Sequence, residues 1–155
     1  MRKYAVIDLE TTGPKYESGD RIFQFGCTLI DGDEVIEHVS LNINPEKSIP
    51  FEIQLLTGVT NADVATAPYF DEVAMTIFNL LEDRTLVAHN VGFDGPFIMS
   101  ALQDALGLEL EVPLIDTVQL AQICYPTALS YRLSDLTESL EIRHTQVHTA
   151  GSDAR

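Results

Sequence analysis

The sequence predicts an α/β domain: a mixed five-stranded sheet flanked by helices. Two observations carry this. The first fifty residues read as strands joined by a tight turn, and the rest alternates helical-period segments with short apolar strands. At 155 residues and 45% apolar content, the chain suits one globular domain spanning 1–155.

The first strand is the apolar, partly β-branched run Tyr4-Ala5-Val6-Ile7, which ends in Asp8-Leu9-Glu10-Thr11-Thr12-Gly13. After a loop over 11–19, residues 21–30 form a second strand. Asp31-Gly32 marks a hairpin, and 34–43 alternates as a third strand running back antiparallel. Pro45 and Pro50 close this meander, and 51–56 forms a short helix stopped at Thr57-Gly58. Phe70, Val73, Ala74, Ile77, Leu80 and Leu81 recur at helical spacing behind Pro68. Residues 85–89 form a fourth strand. Phe97, Ile98, Ala101, Leu102, Ala105 and Leu106 mark a helix that Gly107 ends. Residues 113–115 give a brief fifth strand, 117–124 a helix ending before Pro126, and 133–140 a further helix with Ser134 or Tyr131-Arg132 near its start.

The formal charge of −15 argues against a protein that grips a long polyanion through a basic face. It leaves room for an acidic pocket that holds one or two phosphates through bound cations. No apolar run approaches the roughly 18 residues of a membrane span, so the expected setting is cytoplasmic, without membrane contact. Cys27 and Cys124 lack partners at ligand spacing and read as packed free thiols.

Asp8 and Glu10 are the first unusual pair. Residues i and i+2 of a strand share a face about 6.6 Å apart, so two carboxylates would crowd at the edge of a core. A hard divalent cation between them fits; a solvated acidic turn is the plainer alternative. Asp94 falls in the first turn of a helix, where a carboxylate also serves as a simple cap. His89 and Asn90 precede it at the carboxyl end of a strand, where open α/β sheets bind ligands. In the third stretch, His148 and Asp153 are five residues apart, about 140° around a helix, so they do not share a helical face. This puts His148 in a loop or at the helix start, with Asp153 facing the sheet. His38 and His144 read as surface residues.

In order, Asp8-Leu9-Glu10-Thr11-Thr12-Gly13, His89-Asn90-Val91-Gly92-Phe93-Asp94 and His148 to Asp153 resemble the D-x-E-T/x-T-G, H-N-x-x-F-D and H-x-x-x-x-D motifs of DnaQ-like 3′-to-5′ exonucleases of the DEDDh type. Asp116-Thr117-Val118-Gln119-Leu120-Ala121 and Leu55-Leu56-Thr57-Gly58-Val59-Thr60 look most like the amino-terminal exonuclease domain of DinG-type helicase-related proteins of Gram-positive bacteria. Proofreading subunits of replicative polymerases are next.

The resemblance implies an RNase H-like fold and two divalent cations, Mg²⁺ or Mn²⁺, held by Asp8, Glu10, Asp94 and Asp153. It makes His148 the general base toward the attacking water. It further implies that Thr11 and Thr12 hold the last nucleotide, that Leu56 and Phe93 pack its base and sugar unless they are plain core, and that His89 and Asn90 shape the pocket. Arg132 could meet a phosphate or simply face solvent. The implied substrate is the 3′ end of single-stranded DNA and the product a nucleoside 5′-monophosphate. A short-RNA exonuclease is the alternative within the enzyme class, and a non-catalytic strand-end or partner-binding module the alternative outside it. The sequence stops two residues after Asp153, which suggests a fragment of a longer protein with its last helix cut short. Expected consequences are a frayed Asp153 end, weakened metal binding, self-association through an exposed apolar strip, and helicase-like or polymerase partner domains.

Overall fold

Strand β1 (Lys3–Thr11) is the middle strand of a five-stranded sheet in the computed structural model of the chain, which describes residues 2–143 and 150–154. It pairs antiparallel with β2 (Ile22–Asp31), which pairs antiparallel with β3 (Glu34–Asn42). On its other side β1 pairs parallel with β4 (Thr85–Ala88), and β4 with β5 (Leu114–Asp116). The order is β3-β2-β1-β4-β5, a mixed sheet as the sequence leads one to expect. Its antiparallel half follows from the hairpin at Gly32, whose φ of 63° suits glycine. Its parallel half requires helical crossovers.

Alternation along β1 separates core from chemistry. Ala5, Ile7 and Leu9 are buried on one face with Phe25, Cys27 and Leu29. Helices α3 (Phe70–Leu81) and α4 (Val91–Leu106) cover that face with Ala74, Ile77, Leu81, Ile98 and Leu102. Each large apolar side chain buried there stabilises the fold by roughly 1.5–3 kcal/mol. The opposite face carries two rows: Asp8 beside Gly26 beside Ser40, and Glu10 beside Gln24 beside Asn42. A smaller core of Phe23, Ile49, Val59 and Val64 lies with α1 (Phe51–Thr57) and α2 (Asn61–Val64).

Several details differ from the sequence expectation. β1 runs on to Thr11 through a bulge at Glu10/Thr11, so the acids lie within the strand rather than at its end. The four-residue α2 and a 3-10 turn at Tyr16–Ser18 are too short for a periodic signal. α4 starts at Val91, which puts Asp94 in its first turn as expected. Its regular apolar spacing begins six residues later because Gly92 and Pro96 interrupt the pattern, and Asn90 starts the helix from a left-handed conformation, φ 70°. α6 (Leu133–Ser139) starts after Arg132, one of the expected positions. Cys27 is buried, but Cys124, at the end of α5 (Thr117–Cys124), is exposed and not packed. α5 buries no residue fully and leaves Ile123 77% exposed, so its apolar spacing does not translate into core. His38 is exposed as expected and hydrogen-bonded to Thr28 Oγ1 at 2.8 Å; His144 lies outside the described residues. A last short helix, α7 (Ala150–Asp153), sits against β2, β1 and β3. Among the described residues, no helix is long and apolar enough to cross a membrane.

Candidate active site

Three carboxylates meet above the open face of the sheet. Asp8 and Glu10 project from β1, and Asp153 comes down from α7; each offers an oxygen within 4.8 Å of the others. α7 can approach this closely because of what lies beneath it. A Cβ on Gly26 would fall 1.9 Å from the Ala150 carbonyl oxygen, and one on Gly151 would fall 2.8 Å from Ser40 Oγ. Glycine at both places lets helix backbone and sheet touch.

Asp94 approaches from the side of α4, near enough to act on the charges of Asp8 and Glu10, but it is not among the three carboxylates within 4.8 Å of one another. The β1–β4 ladder runs from Tyr4/Thr85 to Val6/Val87, and beyond it the Leu9 amide donates to Asp94 Oδ1 at 3.0 Å. Asp94 is buried, so this bond both satisfies an edge N–H and fixes the carboxylate next to the peptide between Asp8 and Glu10. The turn that delivers α4 is held by Asp116, whose Oδ1 accepts from the Asn90 amide at 3.0 Å and from the Val118 amide at 2.9 Å.

Burial and crowding work against the charged forms of these carboxyls. Burial, then the charges of Asp94, Glu10 and Asp153, push the Asp8 carboxyl up to about 9. Glu10 is pushed up to about 8 by burial, then by Asp153 and Asp94. Asp94 is pushed up to about 7 by burial, with Asp116 adding to the rise and the amides of Leu9 and of Asp94 itself opposing it. No ion pair among the described residues involves Asp8, Glu10 or Asp94. An all-oxygen donor set of mutually repelling carboxylates fits a hard divalent cation, which would supply positive charge among them.

The other expected site residues are placed as follows. Thr11 and Thr12 are buried: Thr11 Oγ1 donates to the Gly13 carbonyl at 2.7 Å, and Thr12 Oγ1 accepts the Arg21 amide at 3.0 Å. Their side chains brace the loop after β1. Leu56, on α1, is 57% exposed, so it does not serve as core. Phe93 is half-buried, its ring tilted against Phe97 at 5.5 Å between centroids. The His89 ring is committed to the protein, with Nδ1 2.9 Å from Thr117 Oγ1 and Nε2 2.7 Å from the Tyr131 carbonyl. Asn90 is exposed at the mouth of the β4–α4 turn, and Arg132 is exposed ahead of α6. His148 lies outside the described residues.

Sequence reasoning missed Gln24, Gly26, Ser40 and the role of Asp116. A glycine inside an otherwise apolar strand was the available signal for Gly26, since such a residue often marks a close backbone approach.

Comparison with known proteins agrees with this arrangement. The family model of the RNase T exonucleases matches residues 5–155. The chain is 41% identical over 154 residues to the 3′-5′ exonuclease DinG of Bacillus subtilis, covering 99% of this chain and 16% of that protein. It is 40% identical over 151 residues to the DinG exonuclease of Staphylococcus haemolyticus, covering 97% and 17%. It therefore spans about a sixth of the length of these relatives. Among solved structures it resembles Escherichia coli Exonuclease I in complex with a dA16 oligonucleotide, with a TM-score of 0.86, 21% identity, and coverage of 99% of this chain and 38% of that one. Exonuclease X in complex with 5′-overhanging duplex DNA gives a TM-score of 0.76, 20% identity, and coverage of 99% and 84%. These likenesses identify the sheet and its helices as the RNase H-like α/β fold. With its model matched from residue 5 to residue 155, the chain belongs to the RNase T exonuclease family.

Proposed function

We propose that this chain is a metal-dependent 3′-to-5′ exonuclease that hydrolyses single-stranded DNA from its 3′ end and releases nucleoside 5′-monophosphates. The observation that carries this reading is the convergence of Asp8, Glu10 and Asp153 within 4.8 Å, with Asp94 pinned to the intervening peptide. Bound there, two divalent cations, Mg²⁺ or Mn²⁺, would supply charge neutralisation and Lewis acidity at the scissile phosphate. Asp8, Glu10, Asp94 and Asp153 are the residues to hold them. His148 is the group to take the proton of the attacking water, since neutral imidazole is available near neutral pH. The braced backbone at Thr11 and Thr12 receives the terminal nucleotide, and exposed Leu56 with half-buried Phe93 offers apolar surface to its base and sugar. His89 and Asn90 act by shaping the β4–α4 turn.

With nine basic residues against twenty-four acidic ones, affinity for a strand is weak and depends on metal at the terminal phosphate. The relatives are about six times longer, so this reading places the chain beside further, helicase-like domains of one longer cytoplasmic protein. A side-by-side digestion of matched DNA and RNA oligomers, with wild type and Asp8→Asn, tests it. Expected are faster loss of DNA than RNA and a fall of about 100-fold or more in the variant. Equal activity of Asp8→Asn, or a preference for RNA, would overturn the assignment.

A further inference from the structure

We propose that Gln24, seated beside Gly26, is the positioning residue for Asp153: it fixes where the last carboxylate stands over the other two. Resting on the metal-site reading above, the inference extends it to residues that touch neither metal nor substrate. Gln24 is 8% exposed, and its amide is used at both ends. Nε2 donates to Asn42 Oδ1 at 3.0 Å, which turns Oε1 toward α7, where it accepts the Ala150 amide at 2.9 Å. The first amides of a helix have no partner within it, so this bond ties α7 to the sheet by its first residue. The close approach at Gly26 and at Gly151 against Ser40 then sets the height of the helix. Asp153 follows Ala150 by three residues, less than one turn, so a displaced Ala150 carries the carboxylate with it. Asp8 and Glu10 ride on β1 and would stay in place.

The test uses the 155-residue chain and four proteins: wild type, Gln24→Met, Gly26→Ala, and Thr28→Val as a buried control in the same strand that loses its His38 bond. Three quantities are measured: Mn²⁺ affinity by calorimetry, the metal-free melting temperature, and exchange of the Ala150 amide. Gln24→Met and Gly26→Ala are expected to weaken Mn²⁺ binding by about 10- to 100-fold, the usual cost of losing a group that orients a ligand. Thr28→Val is expected to lower the melting temperature while leaving Mn²⁺ affinity within about twofold of wild type. Mn²⁺ affinity in Gln24→Met within about twofold of wild type overturns the proposal. Should Gln24→Met fail to fold, the same criterion applies to Gly26→Ala. If wild type itself binds no Mn²⁺, the metal-site reading fails, and the seat is judged by exchange alone. Faster exchange of the Ala150 amide in Gln24→Met then supports the seat, and unchanged exchange overturns it.

Discussion

Asp94 Oδ1 accepts the Leu9 amide at 3.0 Å, so the peptide between the two strand acids is held by a third acid from another element. Asp94 therefore has a structural and a chemical part to play, and two substitutions separate them. Asp94→Ala leaves a buried N–H without its acceptor, which costs about 1–3 kcal/mol. Asp94→Asn keeps an acceptor and removes a charge, so it should cost far less stability or none. Both should lose nuclease activity. Urea denaturation beside an activity assay checks this; equal stability loss in the two variants would show that the Leu9 bond is not what Asp94 contributes.

The raised carboxyls make metal-free stability depend on pH. Asp8 goes from its ordinary 3.8 to about 9, Glu10 from 4.5 to about 8 and Asp94 from 3.8 to about 7. With folded-state values above the unfolded ones, the folded chain holds more protons between these limits, and stability is lost as pH rises through them. The melting temperature in EDTA should fall from pH 6 to pH 9, and Mg²⁺ or Mn²⁺ should reduce that slope by replacing the protons. Asp8→Asn should raise the metal-free melting temperature at pH 8 by about 3 °C or more, equivalent to roughly 1 kcal/mol at this size. A metal-free melting temperature with no more slope than that of an Asp8→Asn, Glu10→Gln double variant would contradict this account.

Leu56 and Phe93 should differ although both are assigned to substrate. Leu56 is largely exposed, so Leu56→Ala should leave stability within about 0.5 kcal/mol and raise KM. Phe93 also packs on Phe97, so Phe93→Ala should raise KM and lower stability by about 1 kcal/mol or more. Thermal denaturation and steady-state kinetics on a short oligomer read both quantities. An unchanged KM in Leu56→Ala would remove α1 from the binding surface.

The parts of this fold that were legible in the sequence are those set by local patterns. The apolar, β-branched run of β1, the Asp31-Gly32 turn and the helical spacing of α3 each state their element, because each is a signal carried by neighbouring residues. That Asp8 and Glu10 share a face of β1 followed from the strand period, and that Asp94 opens a helix from its place after β4, but not that β1 runs on past both acids. The seat of α7 was not. It depends on Gln24, Gly26 and Ser40 becoming neighbours of residues 150 and 151, more than a hundred positions away, and no period encodes that contact. Cys124 was misjudged because the lack of a partner at ligand spacing says that a thiol is free, not whether anything covers it.

The most direct test is a digestion of single-stranded DNA labelled at the 3′ or the 5′ end, in Mg²⁺, in Mn²⁺ and in EDTA. Immediate release of labelled mononucleotide from the 3′-labelled strand and stepwise shortening of the 5′-labelled one are expected in either metal, and neither in EDTA. Release of mononucleotide from the 5′ end first, or equal digestion in EDTA, would contradict it.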